Sequence, residues 1–339
     1  MMQMIMMYFP NDPRIPLRHL RQIPRLVGVA SGLGDIPPDQ PWTVERVTAL
    51  RDQIEQAGLR WLVVESIPVH EAIKLGAPDR DRWIDVYIQG IEALGAAGIP
   101  VLCYNFMPGL GWTRTDLAKP MPDGSTALAF DQTALTNLER DDAMEHLRLT
   151  PERRALIAQY AAMTDADLFA NYVYFINAIV PAAEKANVKL AIHPDDPPWS
   201  ILGTPRIVRD AETVARLLAV NSSPYHGLTF CTGSFGANPA NDLPAMARQF
   251  ADRTHFIHAR RVKTTGDQVF HEVAHADAGD VDLFAVLDAL IGAGVDVPLR
   301  PDHGRMIWDE DGFPGYGLYD RALGAQYLSG LIEAIERKG

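Results

Sequence analysis

Four apolar runs in the second half of this 339-residue chain each end on a side chain able to bind a metal. AIHPDD carries His193 at that point, GLTFC ends on Cys231, THFIHA carries His258 and PLRPDHGR carries Asp302. The four positions lie 38, 27 and 44 residues apart, each about one strand–helix unit when a barrel of roughly 250 residues is divided among eight strands. Strand ends of such a barrel converge on one mouth, where two imidazoles, a thiolate and a carboxylate together make a divalent-metal site. A single His or Cys at a strand end is more often a packed core residue. Four potential ligands at four successive strand ends are not explained that way. A Cys beside two His points first to zinc or ferrous iron, thiolate being soft and carboxylate hard.

Further polar groups cluster near these runs. His303 follows Asp302 directly and can face the same cavity, and Tyr316, on the Gly-flanked run FPGYGLYDR, can reach into it as an acid or base. Asn105, Arg114 in WTRTDL, Arg260 and Arg261 after His258, and Arg305 in PDHGR are candidates for holding a polar, anionic substrate. FHEVAH at 270–275 offers His271, Glu272 and His275, but its spacing is not that of the HExxH zinc helix. GLG at 32–34 is weak as a phosphate loop, because neither GxGxxG nor GxxxxGK[ST] follows a strand.

The elements that must position these groups show a repeated phrase: a helix end, Gly or Asn, then an apolar burst. It occurs at 57–65, 97–104, 186–193 and 293–302, with Gly58, Gly98, Asn187 and Gly294 suited to the left-handed residue that closes a helix. Adding 4–8, 26–30, 227–231 and 254–259 gives eight buried strands, so a closed parallel α/β barrel is expected. Helices are expected at 43–57, 79–97, 165–186, 210–220, 241–252, 280–293 and 319–337, with Thr43, Asp165 and Asp280 as N-caps, and a short first crossover near 17–22. Residues 105–164 exceed any simple loop and are expected to form a lid or partner-contact segment. No linker divides the chain, so residues 1–339 are expected to form a single domain.

Composition sets the outer limits. With 47% hydrophobic and 22% charged residues the chain can bury a full core. Its net charge of −12 disfavours nucleic acid or an anionic membrane as partner. Cys103 and Cys231 are too few for a disulfide framework and suit a reducing cytoplasm. MMQMIMMYFP lacks a cationic start and is expected to be a buried strand rather than a secretion signal.

Several longer stretches resemble the mannonate dehydratase family: ESIPVHEAIKLG at 65–76, CYNFMP at 103–108, WTRTDL at 112–117, DGSTALAF at 123–130, HPDDPP at 193–198, CTGS at 231–234, FHEVAH, and RPDHGR followed by PGYGLYDRALG. The resemblance spans nearly the whole chain. It implies a TIM (β/α)8 barrel of the xylose-isomerase-like group, conversion of D-mannonate to 2-keto-3-deoxy-D-gluconate in hexuronate catabolism, and Mn²⁺ as cofactor with Fe²⁺ as the alternative. It places the metal ligands on His193, Cys231, His258 and Asp302 and the acid/base pair on His303 and Tyr316. The run IHARRVK departs from the family's more usual Phe-Arg-Asn after the His, which bears on substrate contacts at Arg260 and Arg261. An aldonate substrate and a homo-oligomer are expected. Competing readings are a metal-dependent sugar isomerase or epimerase on the same barrel, an endonuclease-like DNA-repair barrel that the charge opposes, and a non-catalytic binding barrel.

Overall fold

The computed structural model describes residues 2–338. Twelve strands follow in chain order: β1 Gln3–Met7, β2 Gly28–Ser31, β3 Arg60–Glu65, β4 Val101–Tyr104, β5 Asp116–Pro120, β6 Thr126–Asp131, β7 Lys189–Ile192, β8 His226–Cys231, β9 Thr254–Ala259, β10 Arg261–Gly266, β11 Val269–Val273 and β12 Pro298–Pro301. Eight of them close a parallel barrel in the order β1-β12-β9-β8-β7-β4-β3-β2. The expected TIM barrel is therefore present. Both faces of its strands are buried, which explains the unbroken apolar runs. Along β1 the alternation is clear: Ile5 and Met7 pack inside the barrel with Val63, Val101 and Phe256, while Met4 and Met6 face the helices.

Helix ends follow the expected chemistry. Gly58, Gly98, Gly294 and Asn187 all have positive φ, so each helix stops where the left-handed residue turns the chain into the next strand. Thr43 caps the helix Val44–Gln56 as expected. Two caps are corrected: Thr164, not Asp165, caps Asp165–Ala186 through a capping box with Asp167, and Asp282, not Asp280, caps Leu283–Gly292. Asp280 instead accepts from Lys263 and from the backbone N–H of Thr264. Asp242 caps Leu243–Gln249, accepting from the Ala245 N–H.

A second sheet lies outside those expectations. Strands β10-β11-β6-β5 form an antiparallel sheet built from a hairpin after β4 and another after β9. In its register Phe270 stands opposite Phe130, and Trp199 packs edge-on to both rings, with centroids 5.9 and 5.7 Å away. Residues 105–164 thus hold β5 and β6 and the helices Thr133–Thr136, Arg140–His146 and Pro151–Tyr160. Among the described residues no helix is long and apolar enough to cross a membrane.

Far from the strand ends that carry the ligands, His226 and His255 sit at the start of β8 and near the start of β9. His226 takes the Tyr172 hydroxyl at 2.7 Å on Nε2, and His255 Nδ1 meets the Leu190 carbonyl at 2.9 Å. Burial pushes both imidazoles down to about 4. The unfolded chain, with ordinary histidines near 6.5, therefore binds protons before the folded one does, and stability falls as pH drops from about 6.5 toward 4. Urea unfolding of the metal-free protein should lose up to about 2 kcal/mol for each histidine between pH 7 and 5. An unchanged midpoint over that interval would exclude a neutral, buried state for the pair.

Candidate active site

The barrel register sets the expected ligands at one height. Cys231 on β8 pairs laterally with His258 on β9, and His258 pairs with Arg300 on β12. His193 follows β7 directly, its N–H bonded to the Tyr104 carbonyl at 2.7 Å. The donor atoms of His193, Cys231 and His258 lie within 4.8 Å of one another. Asp302 joins them, its Oδ2 3.6 Å from Cys231 Sγ and 3.7 Å from His258 Nδ1. The structure therefore brings all four sequence-derived residues together.

Local bonds prepare these donors. His193 Nδ1 lies 2.7 Å from the Pro194 carbonyl, so its proton belongs there and Nε2 presents a lone pair toward His258, 3.1 Å away. Burial holds the His193 imidazole below its ordinary range, hence neutral. Cys231 is the N-cap of the short helix Thr232–Gly236, and Ser234 donates its hydroxyl to Sγ at 3.1 Å. Two imidazoles, a thiol and a carboxylate converging on one point suit a first-row divalent cation, which would be held by His193, Cys231, His258 and Asp302. Glu65, Cys103 and His258 form a second close group. A cation is already at hand there, because the Arg300 guanidinium grips both Glu65 oxygens at 3.0 and 2.8 Å.

Above the donors opens a cavity of about 450 Å³ whose walls include Glu65, Ser66, Asn105, Met107, Trp112, Asp196, Arg300, Asp302, His303 and Tyr316. His303 Nε2 and the Tyr316 hydroxyl are 3.1 Å apart, and the Trp112 ring lies 5.1 Å from that of His303. Burial pushes the Tyr316 phenol above its usual range.

The residues expected to hold substrate divide. Asn105 lines the cavity. Arg114 and Arg260 do not reach it, because both are fully buried in an ion-pair network behind it. Arg114 binds Asp196 at 2.8 Å and Glu272 at 2.9 Å, and Arg260 binds Asp196, Glu272 and Asp302 at 2.6 to 2.8 Å. Arg305 bonds Asp123 and Asp320, and Arg261 bonds the Asp277 carbonyl and Tyr327, both away from the cavity. His271 and His275 stand apart from the donors, His275 being bonded to the Ala259 carbonyl. For Asp302, burial alone would raise the carboxyl, but the charges of Arg300, His303, His258 and Arg260 hold it well below the usual range. Burial likewise opposes ionisation of Glu65 and Asp196, and Arg300 on one, Arg114 and Arg260 on the other, override it.

Glu65, Asp196 and Arg300 were not singled out from the sequence. Glu65 ends β3 and Arg300 interrupts the otherwise apolar β12, so a charged residue inside a buried strand was the available signal.

Comparison with known proteins agrees with this geometry. The family model described as D-mannonate dehydratase (UxuA) matches residues 1–339. A mannonate dehydratase of Enterococcus faecalis is 44% identical over 340 residues, covering 96% of this chain and 95% of the relative. Mannonate dehydratase 2 of Halalkalibacterium halodurans is 45% identical, covering 98% of this chain and 99% of that one. The crystal structure of mannonate dehydratase from Streptococcus suis serotype 2 superposes with a TM-score of 0.94 at 44% identity, covering 100% of this chain and 96% of that chain. With a whole-chain family match, relatives at this identity and the same barrel, the chain belongs to the D-mannonate dehydratase family.

Proposed function

We propose that this chain removes water from D-mannonate to give 2-keto-3-deoxy-D-gluconate, as a step in hexuronate breakdown, with Mn²⁺ bound by His193, Cys231, His258 and Asp302 and Fe²⁺ as the alternative ion. Beyond family membership, the observation that carries the reading is the contact of His303 with Tyr316, 3.1 Å apart, on the cavity wall that also carries His193 and Asp302. Elimination needs one group to take a proton from C2 and another to give one to the departing C3 hydroxyl. The C2 proton is very weakly acidic because the neighbouring carboxylate is already negative. A divalent ion at the donor set would supply the Lewis acid that stabilises charge developing beside that carboxylate.

The chain's own groups divide the proton work. A buried phenol keeps its proton at neutral pH, so Tyr316 is the donor for the C3 hydroxyl, which leaves as water. His303 Nε2 takes the C2 proton. Afterwards the imidazolium returns a proton to the phenolate across their contact, restoring both groups. The enol product picks up a proton at C3 from solvent as it becomes the ketone. Asn105 and Ser66 offer neutral hydrogen-bonding groups for substrate hydroxyls.

Residues 105–164 act in this reading as a cover over the barrel mouth within a single domain. Besides Asn105 and Met107, that segment brings Trp112 to the cavity, packed on His303, where it excludes water. Arg114 then serves the wall, not the substrate.

Chelator treatment should abolish activity, and Mn²⁺ or Fe²⁺ should restore it; full turnover in metal-free protein would overturn the proposed cofactor. His193→Ala or Asp302→Ala should bind metal substoichiometrically by elemental analysis. His303→Ala and Tyr316→Phe should keep fold and metal while losing turnover by on the order of a hundredfold or more. Substrate recovered from Tyr316→Phe in D₂O should still exchange deuterium at C2, whereas that from His303→Ala should not; the opposite pattern reverses the assignment. A product that retains every oxygen of the substrate would favour the isomerase reading. Arg114→Ala removes one of the two guanidinium partners of Asp196 and of Glu272 and opens a gap in the buried network, so thermal denaturation should report a loss of about 3 kcal/mol. Native stability combined with a large rise in KM would return Arg114 to the substrate.

A further inference from the structure

The antiparallel sheet delivers one carboxylate to the back of the reacting histidine. On β11, Phe270 and Glu272 point to the same buried side, and Glu272 is fully buried. Its Oε1 lies 3.4 Å from His303 Nδ1, on the opposite side of the ring from Tyr316. Arg260 Nη1 bonds both Glu272 oxygens, at 2.8 and 2.9 Å, and Arg114 Nη2 bonds Oε1 at 2.9 Å. A carboxylate held by two guanidinium groups is ionised and only accepts hydrogen bonds. The proton between Glu272 and His303 therefore sits on Nδ1, and in the neutral ring Nε2 is left with its lone pair facing the Tyr316 hydroxyl and the cavity.

We infer that Glu272 is a positioning residue for the dehydration: it fixes His303 in the Nδ1–H tautomer and so aims the basic nitrogen at the substrate. The inference rests on the function proposed above. The same carboxylate holds the ring in place behind its basic nitrogen, as a buried acid does behind a catalytic histidine. FHEVAH thus contributes through its Glu, at a spacing unrelated to a zinc helix. The bland alternative is that Glu272 only balances Arg114 and Arg260.

The two accounts separate experimentally. In zinc-loaded wild-type protein carrying ¹⁵N-labelled histidine, the His303 signals, assigned by their loss in His303→Asn, should show Nδ1 protonated and Nε2 unprotonated. In Glu272→Gln, metal stoichiometry should persist and KM for D-mannonate should stay within about threefold of wild type, while kcat falls on the order of a hundredfold or more. Glu272→Asp should recover part of that loss. Glu272→Gln placed in the His303→Asn background should cost nothing further, because both changes remove one function. An Nε2–H tautomer in the wild-type spectrum overturns the inference even if no Glu272 variant folds. So does an undiminished kcat in Glu272→Gln, or a full additional loss in the double variant. Failure of wild-type protein to dehydrate D-mannonate would instead defeat the proposed function, and the tautomer spectrum, which needs no substrate, would still decide the role of Glu272.

Discussion

Charge balance in a space nearly closed to water is the constraint on which this active site depends. Four carboxylates, Glu65, Asp196, Glu272 and Asp302, meet three guanidinium groups, Arg114, Arg260 and Arg300, in one connected network. Each buried ion costs several kcal/mol of desolvation unless it is paired and hydrogen-bonded. The network satisfies most of that demand internally and leaves one negative charge in excess, beside the Cys231 thiol. A divalent cation at the proposed donor set would turn that excess, and a thiolate with it, into ligand charge. Charge balance and metal binding are therefore parts of one electrostatic problem.

The barrel and the small sheet divide the solution. Barrel strands set height and lateral order: Cys231, His258 and Arg300 are register neighbours, so the pleat rather than any loop decides how close they come. The sheet supplies what a barrel mouth lacks, a rigid rear wall. Its aromatic face, Phe130, Phe270 and Trp199, fixes β11 so that Glu272 meets Arg114 and Arg260 without slack. Precision in the reacting pair is thus borrowed from packing several residues away.

The barrel and the donor set were legible in the sequence because both are written locally. A glycine or asparagine that ends a helix, an apolar run and a ligand at its end fall within about ten residues of one another, as in the run from Asn187 to His193. The small sheet was not legible, since β6 and β11 pair between residues 138 or more positions apart, and the Pro122-Asp123-Gly124 turn marks a local hairpin without naming the strand it will join. Arg114 shows the same limit at one residue. Its type signalled an anion partner correctly, but the anion is Glu272, contributed by a strand far along the chain, and not a substrate. The alternation of Phe270, His271 and Glu272 carried the strand period all along, masked by its likeness to a zinc motif.

That long-range pairing also fixes when the site comes into being. Arg114 and Glu272 are 158 residues apart, and at ribosomal rates that distance takes roughly ten to thirty seconds to synthesise. During that interval the growing chain carries a cation destined for burial whose second counter-charge does not yet exist. The hairpin that bears it has no partner strand on one side. Closure of so long a loop is slow and entropically unfavourable until the barrel brings the two hairpins together. The rear wall is therefore completed late in translation, and any product truncated or stalled before Val273 lacks it regardless of how many of its helices have formed.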